Sequence, residues 1–368
     1  MSPIVEAAPG RVVRKNTRSA KFAALTSITE HVDLRISELL SAETERWRRV
    51  DERLAQPVQD LLSFALSGGK RLRPNFMWWA YLGAGGDPAD PTAVDAAAAL
   101  ELLHCFALIH DDVMDGSLQR RGGLPVHLKW STLHEAEGRN GEARRFGEGV
   151  AVLIGDLSFV YADLLMSSAP REAREIFTEL RLEVNHGQIL DVLGTSAGAA
   201  TPELAGLISI YKSGKYTVER PLHLGAALAG QLGAFSGALS AYGLPLGEAF
   251  QLRDDVLGTF GSAEQTGKPV GEDLREGKPT LLYALARQRA DSAQRDVLDR
   301  YFARADLGAA GIEALQAVFA DSGALALVEE RIDRLTEQSI KAISTSGLNA
   351  EAISELVAMA SYVRSRRV

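Results

Sequence analysis

Near the middle of the chain, Asp111-Asp112-Val113-Met114-Asp115 closes a long alanine-rich apolar run, and a second acidic pair, Asp254-Asp255, follows much later. On a helix, Asp111 and Asp115 project from one face a turn apart. Carboxylates so placed repel each other unless a cation lies between them. Two such clusters suit hard divalent metals, and Mg²⁺ held by few carboxylates usually completes its shell with phosphate oxygens. The expected ligand is therefore phosphorylated. His104, Leu108, Asp111 and Asp115 stand at i, i+4, i+7 and i+11 and form one stripe. Leu103, Phe106 and Ala107 form an adjoining apolar wall below the acids. A metal-dressed mouth above a greasy shaft suits a charged head on a hydrocarbon tail. Around the second pair, Gln251, Asp254 and Asp255 fall at i, i+3 and i+4 of a helix read over 246–257, with Pro245 at its first position.

Cations come from several short segments. Gly68-Gly69-Lys70-Arg71-Leu72-Arg73-Pro74 joins a flexible turn to Lys70 and Arg73, and Arg120-Arg121-Gly122 follows the first acids closely. Tyr211-Lys212-Ser213-Gly214-Lys215 lies in a later helical region. Thr266-Gly267-Lys268-Pro269 and Gly277-Lys278 offer loop lysines able to reach over a phosphate as mobile point charges. Gly68–Lys70 is no phosphate P-loop, since it lacks the first glycine and the Ser or Thr after the lysine. Taken alone, each acidic pair could be a solvated helix end. A phosphohydrolase built on His110-Asp111 needs further histidines at the metal, and no suitable cluster stands out among the seven present.

The elements that must hold these residues read as helices over 22–53, 57–66, 92–115, 149–167, 171–193, 203–232, 245–257 and 280–290, with two more between Ser292 and Arg367. Gly68-Gly69, Gly83 to Pro91, Gly116, Gly122 to Pro125 and Gly194 to Pro202 punctuate them. No series of alternating strands, internal repeat or dividing linker is evident. The expected architecture is all-α: a tail over residues 1–25 and a single domain over 26–368, with central helices buried nearly all round. A net charge of −8 argues against general nucleic-acid binding, so a polyanion needs a local basic lining. The lone Cys105 fits a reducing compartment. No uninterrupted apolar run reaches the roughly 20 residues that span a bilayer, and the basic N-terminus lacks a signal-peptide core. A cytoplasmic location is expected.

In this order, GGKRLRP, HDDVMD with RRG after it, YKSGK, FQLRDDVLG and TGKP resemble the trans-isoprenyl diphosphate synthases, or polyprenyl synthetases, over roughly Pro57 to Leu282. The resemblance implies an isoprenoid synthase-type helical bundle around a deep central cavity, normally homodimeric. It implies Mg²⁺-dependent condensation of isopentenyl diphosphate onto allylic diphosphates, the dimethylallyl, geranyl and farnesyl esters. By matching position, Asp111 and Asp115 hold two Mg²⁺ ions, with Asp112 supporting them. Asp254 holds a third, with Asp255 nearby. Arg120, Lys212 and Lys268 face the allylic diphosphate. Lys70, Arg73, His104 and Arg121 face the isopentenyl diphosphate, and Gln251 lies near the reacting carbons. Ser213 stands where threonine is usual and keeps a hydroxyl. Gly258 stands where the family has a third aspartate, which could weaken the third metal.

About three Mg²⁺ and three cationic side chains roughly balance these carboxylates and a diphosphate, as a buried site requires. In the family, residues just upstream of the first aspartates floor the shaft. Phe106 beside Ala107 resembles enzymes making a C20 product, geranylgeranyl diphosphate, with farnesyl and C25 diphosphates as alternatives. A class I terpene cyclase or a non-catalytic partner subunit fits less well: the former usually carries an Asn/Asp, Ser/Thr, Glu triad on its second metal helix, and the latter typically loses the acidic motifs.

Overall fold

The structure, a computed structural model, describes residues 25–197, 201–261 and 270–366, so the expected tail over 1–25 lies outside it except for Leu25. The helices in order are α1 (Leu25–Arg48), α2 (Glu52–Leu66), α3 (Leu72–Gly83), α4 (Pro91–Asp115), α5 (Val126–Ala136), α6 (Ala143–Leu165), α7 (Arg171–Ala197) and α8 (Pro202–Ile208). A π-helical segment (Ser209–Glu219) follows, then α9 (Arg220–Leu228), α10 (Leu232–Phe260), α11 (Glu272–Glu276) and α12 (Leu281–Arg289). The chain finishes with α13 (Ser292–Tyr301), α14 (Ala309–Asp321), α15 (Ala324–Ser344) and α16 (Ala350–Ser365). Among the described residues there are no β-strands, only an isolated bridge between Arg120 and Gly123.

Helix α4 is the axis of the bundle. Asp90 caps it by accepting from the Thr92 N–H at 2.8 Å, Pro91 sits where a missing N–H costs nothing, and Gly116 ends it at φ 63°. Its run Ala96–Ala99 is fully buried. Such short side chains let α6, α1 and α3 close around it, and the Ser158 hydroxyl of α6 donates to the Leu102 carbonyl at 2.7 Å. By length and hydropathy alone α4 could cross a membrane, but here 61% of its most apolar stretch is buried inside the fold.

Helix α10 is the second interior helix, packed between the π-helical segment and α15. It departs from expectation: Pro245 lies in its middle and does not begin it. Gly243 and Gly247 flank that proline, and a Cβ at either would strike Glu219 Cα at 2.8 Å or Gly214 Cα at 2.4 Å. Close packing on the π-helical segment thus accompanies a helix that continues through a residue that removes one backbone hydrogen bond. Pro57 is likewise internal to α2, because Asp51 caps that helix upstream by accepting from the Arg53 N–H at 2.9 Å. The same cap splits the helix expected over 22–53. The helix expected over 203–232 is three pieces, with the π-helical segment between α8 and α9. Helices α3 and α5 occupy stretches that periodicity left unread, and four helices, not two, follow Ser292.

Candidate active site

The end of α4 and the middle of the π-helical segment build the first half of the site. Asp111 accepts from Lys212 Nζ at 3.0 Å and from Gln188 Nε2 of α7 at 3.1 Å, with Arg120 Nη2 at 3.7 Å. Burial alone would raise its pKa, but Lys212, Lys278 and Arg120 outweigh burial and hold it below the usual carboxylate range. Lys212 also donates to Asp191 of α7 at 2.5 Å. Its ammonium is raised despite burial because Asp111 and Asp191 face it. This lysine sits where backbones nearly touch. A Cβ at Gly187 would lie 2.2 Å from Lys212 N, and one at Gly214 would lie 3.2 Å from the Gly247 carbonyl carbon. Asp115 meets Lys278 at 3.1 Å, and burial, opposed by Lys278, leaves its pKa raised.

Asp112 points elsewhere. It is 1% exposed and accepts from Arg120 Nε at 2.9 Å and Nη2 at 2.5 Å, while Oδ2 has no hydrogen-bond partner. It therefore orients Arg120.

On α10, Asp254 accepts from Arg366 Nη1 at 2.7 Å, and Asp255 accepts from Gln251 Nε2 at 2.6 Å. Burial raises Asp254 against the pull of Arg366, and burial followed by the nearby Asp273 pushes Asp255 up to about 8. Asp254, Asp255 and Gln251 line one cavity of about 320 Å³ together with Asp111, Asp191, Lys212, Glu272, Asp273, Lys278 and Arg366. The two acidic helices thus face a common space. Lys278 holds Asp115 at 3.1 Å, Glu276 at 3.0 Å and Asp273 at 3.5 Å.

A second cavity, about 290 Å³, shares Arg366 with the first and is lined by Lys70, Arg73, His104, Arg120 and Arg121, with Leu108 and Phe250. Its two loops are strained. Arg71 (φ 48°) and Arg121 (φ 51°) adopt left-handed backbone unusual for large side chains. Both converge on buried Glu101: Arg71 Nη1 donates to its carboxylate, and Arg121 Nη2 lies 3.9 Å away. Arg71 also donates to Asp33 at 2.9 Å and to the Ala65 carbonyl at 2.6 Å. Arg120 and Gly123 exchange both backbone hydrogen bonds around Arg121 and Gly122 (φ 77°), a turn with both central residues at positive φ. Arg73 stacks 4.1 Å over the Tyr216 ring and donates to Thr217 at 2.8 Å. His104 Nδ1 lies 3.3 Å from the Tyr216 hydroxyl. Burial, then Arg73 and Arg121, keeps its imidazole neutral.

Of the apolar wall, Leu103 is fully buried, whereas Phe106 and Ala107 are only partly so. The Phe106 ring meets Phe159 of α6 edge-on at 4.9 Å and His110 at 4.6 Å. His110 fills the notch left by Gly155, with Nε2 2.9 Å from the Val152 carbonyl oxygen. It faces α6 and takes no part in the acidic cavity.

Most residues singled out from the sequence therefore gather at these two cavities. Arg120 lines the basic cavity while touching the acids; Asp112, Asp115, Ser213, Leu103, Phe106 and Ala107 line neither; and Lys268 lies outside the described residues. Gln188, Asp191, Glu272, Asp273 and Arg366 were not anticipated. Asp191, an acid among the apolar residues of Ile189–Leu193, was the one readable signal.

Among the described residues no three acidic, histidine or cysteine side chains converge as a ready-made metal cage. Instead Lys212, Lys278 and Arg366 sit among the carboxylates. The donor set still suits a hard cation: Asp111 of α4 and Asp254 and Asp255 of α10 bring all-oxygen ligands to one cavity, and burial with the nearby Asp273 holds Asp255 up at about 8 in the metal-free fold.

An all-helical shell thus encloses an acidic cavity beside a basic one, joined at Arg366. Residues 51–318 match the polyprenyl synthetase family model. A short-chain isoprenyl diphosphate synthase of Methanothermobacter thermautotrophicus is 31% identical over 86% of this chain and 95% of its own. A geranylgeranyl diphosphate synthase of Mycobacterium tuberculosis is 30% identical over 81% and 82%. The crystal structure of geranylgeranyl pyrophosphate synthase from Corynebacterium glutamicum, complexed with isoprenyl diphosphate and magnesium, superposes with a TM-score of 0.89 at 36% identity, covering 93% of this chain and 99% of that one. The chain belongs to the polyprenyl synthetase family. It is a prenyltransferase of the short-chain isoprenyl diphosphate synthase type.

Proposed function

We propose that this enzyme condenses isopentenyl diphosphate with allylic diphosphates up to the farnesyl ester and releases geranylgeranyl diphosphate. One observation carries the reading: Asp111 and Asp254, from helices far apart in sequence, line one cavity, and a separate basic cavity adjoins it across Arg366. Two diphosphates need two sites of different character. One is reached through metal and carboxylate, the other directly through Lys70, Arg73, Arg121 and neutral His104.

Asp111, Asp115 and Asp254, with Asp255, would hold about three Mg²⁺ ions, which when bound neutralise the allylic diphosphate and favour its departure. Lys212 and Lys278 then contact the leaving group, and Arg120, fixed by Asp112, supplies charge between the two cavities. Loss of diphosphate leaves an allylic cation. The double bond of isopentenyl diphosphate attacks it, and the departed diphosphate is the nearest base for the final proton. Gln251 sits beside Asp255, where it can orient the reacting carbons. Phe106 and Ala107, upstream of the first aspartates on α4, would bound the growing chain together with Leu103.

The same reading includes a homodimer. On α6, Val152, Leu153, Val160 and Leu164 are exposed along one face, and Leu182, Ile189, Val192 and Leu193 do the same on α7. Exposed apolar stripes on two successive helices are what a second copy would cover. A cytoplasmic location accords with the single buried thiol, Cys105.

The test is purified protein with Mg²⁺, labelled isopentenyl diphosphate and each allylic primer in turn, with products sized by chromatography. C20 product is expected, and Asp111→Ala or Asp254→Ala should lose on the order of 10³-fold in turnover. Near-normal turnover in either variant would overturn the assignment.

A further inference from the structure

Lys215 and Arg220 stand five residues apart at the end of the π-helical segment. On an α-helix that spacing would point their side chains about 140° apart. Here the Arg220 N–H donates to the Lys215 carbonyl, an i→i+5 bond that turns the two residues onto one face. Both side chains then reach a single carboxylate. Glu183 of α7 is buried; its Oε1 accepts from Lys215 Nζ and from Arg220 Nη2 at 2.7 Å, and its Oε2 accepts from Arg220 Nε at 2.6 Å. Burial alone would raise the Glu183 pKa, but the hydrogen bonds from Arg220 and Lys215 outweigh it and hold the group below its ordinary value. The neighbouring Glu219 is engaged elsewhere: its Oε1 accepts from the Ser240 hydroxyl of α10 at 2.6 Å, and its Oε2 stays 3.9 Å from Lys215 Nζ.

Tyr216 and Thr217 lie inside the turn that the i→i+5 bond closes. Among the described residues, the Arg73 side chain makes one hydrogen bond, to Thr217 Oγ1 at 2.8 Å, and its guanidinium rests over the Tyr216 ring. Tyr216 also meets His104 through its hydroxyl. Two residues of the basic cavity thus lean on this one turn, while Glu183 itself lines neither cavity. Further upstream the segment is pinned independently, since Asp111 and Asp191 hold Lys212 and its backbone rests on Gly187.

We infer that Glu183 is a positioning residue for isopentenyl diphosphate: by gripping Lys215 and Arg220 together it keeps the last turn in π register, and through Thr217 and Tyr216 it aims Arg73 at the basic cavity. This inference rests on the role proposed above for that cavity and deepens it. It places part of the control of isopentenyl diphosphate affinity on a helix that does not line the basic cavity.

Isothermal titration calorimetry of the full-length protein with isopentenyl diphosphate, together with steady-state assays varying each substrate, tests it. Glu183→Gln preserves shape and removes the charge; it should weaken isopentenyl diphosphate about tenfold, the scale of one hydrogen bond to a charged group, and change KM for the allylic diphosphate less than about twofold. Thr217→Val should lose a similar factor. Because both changes act through Arg73, the double variant should lose far less than the product of the single losses. Thermal melts check that each variant is folded. Should Glu183→Gln fail to fold, Lys215→Met, which keeps the Arg220 pair and breaks half the grip, should still weaken isopentenyl diphosphate severalfold. Wild-type affinity in Arg73→Gln would overturn the reading of the basic cavity and this inference with it. A weakened Arg73→Gln beside wild-type binding in folded Glu183→Gln or Lys215→Met would overturn this inference alone. Equal losses for the two substrates, or losses that multiply in the double variant, would do the same by assigning Glu183 to general stability.

Discussion

Replacing Gly187 with alanine tests whether the position of Lys212, rather than its mere presence, supports the reaction. The added methyl would sit 2.2 Å from Lys212 N, 2.6 Å from Lys212 Cα and 2.6 Å from the Tyr211 carbonyl carbon. Carbon contacts relax near 3.5–4.0 Å, so α7 and the π-helical segment must separate by about 1 Å. No flexible side chain lies in the way to absorb the strain, because the atoms met are backbone. Overpacking of this kind costs about 1–3 kcal/mol and lowers Tm by several degrees. The larger effect should be on chemistry. Lys212 bridges Asp111 and Asp191, and a displacement of about 1 Å in such a group can cost on the order of 10²-fold in rate. Steady-state assays varying each substrate separately should show kcat reduced and KM raised for the allylic diphosphate. KM for isopentenyl diphosphate should stay nearly unchanged, because Lys212 does not line the basic cavity. Wild-type kinetics together with wild-type Tm would refute the argument. Equal damage to both KM values would show that the substitution loosened the whole site.

Phe106→Ala removes the ring that meets Phe159 and should shift products toward C25 and beyond; an unchanged length distribution by chromatography would reject Phe106 as a floor. Asp255 carries a proton in the metal-free fold up to about pH 8, whereas its unperturbed value is 3.8. The fold therefore binds that proton more tightly than the unfolded chain, and this stabilisation is complete below about pH 4 and lost as pH rises toward 8. Metal-free wild type should thus melt several degrees lower at pH 8 than at pH 5, and Asp255→Asn should flatten that slope; parallel melting profiles would contradict it. Glu101→Gln weakens the anchor shared by Arg71 and Arg121, both held at positive φ, and should raise KM for isopentenyl diphosphate on the order of tenfold while sparing that of the allylic substrate. Isothermal titration calorimetry with isopentenyl diphosphate alone checks this directly, and wild-type affinity would dismiss Glu101 as the anchor.

What the sequence disclosed was mostly local. Asp111 and Asp115 could be read because both lie on one helix, where spacing alone fixes the face, and the alanines before them announced a buried axis. Lys70, Arg73, Arg120 and Arg121 were legible as clusters close to glycines. Arg366 and Asp273 were not, since each reaches the site through folding that brings distant segments together, and neither sits in a periodic pattern that marks it. The π-helical segment was hidden for another reason: its apolar spacing resembles that of an α-helix, so periodicity reads one helix straight through Ser209–Glu219. Pro245 and Pro57 misled because local preference for a helix start was overruled, by packing in one case and by the upstream Asp51 cap in the other.

Under the role proposed for Phe106, the helix α4 that it shares with Asp111 would work as a ruler whose zero mark and far end are cut on the same rod. An inserted or deleted residue between them would rotate one mark by about 100° and slide it about 1.5 Å relative to the other. The rod is held to α6 along this stretch, by Ser158 on the Leu102 carbonyl and by His110 in the notch at Gly155. Evolution or engineering of product size in this scaffold is thereby confined to trading side-chain bulk at fixed positions, and changes in backbone length should silence the enzyme before they retune it.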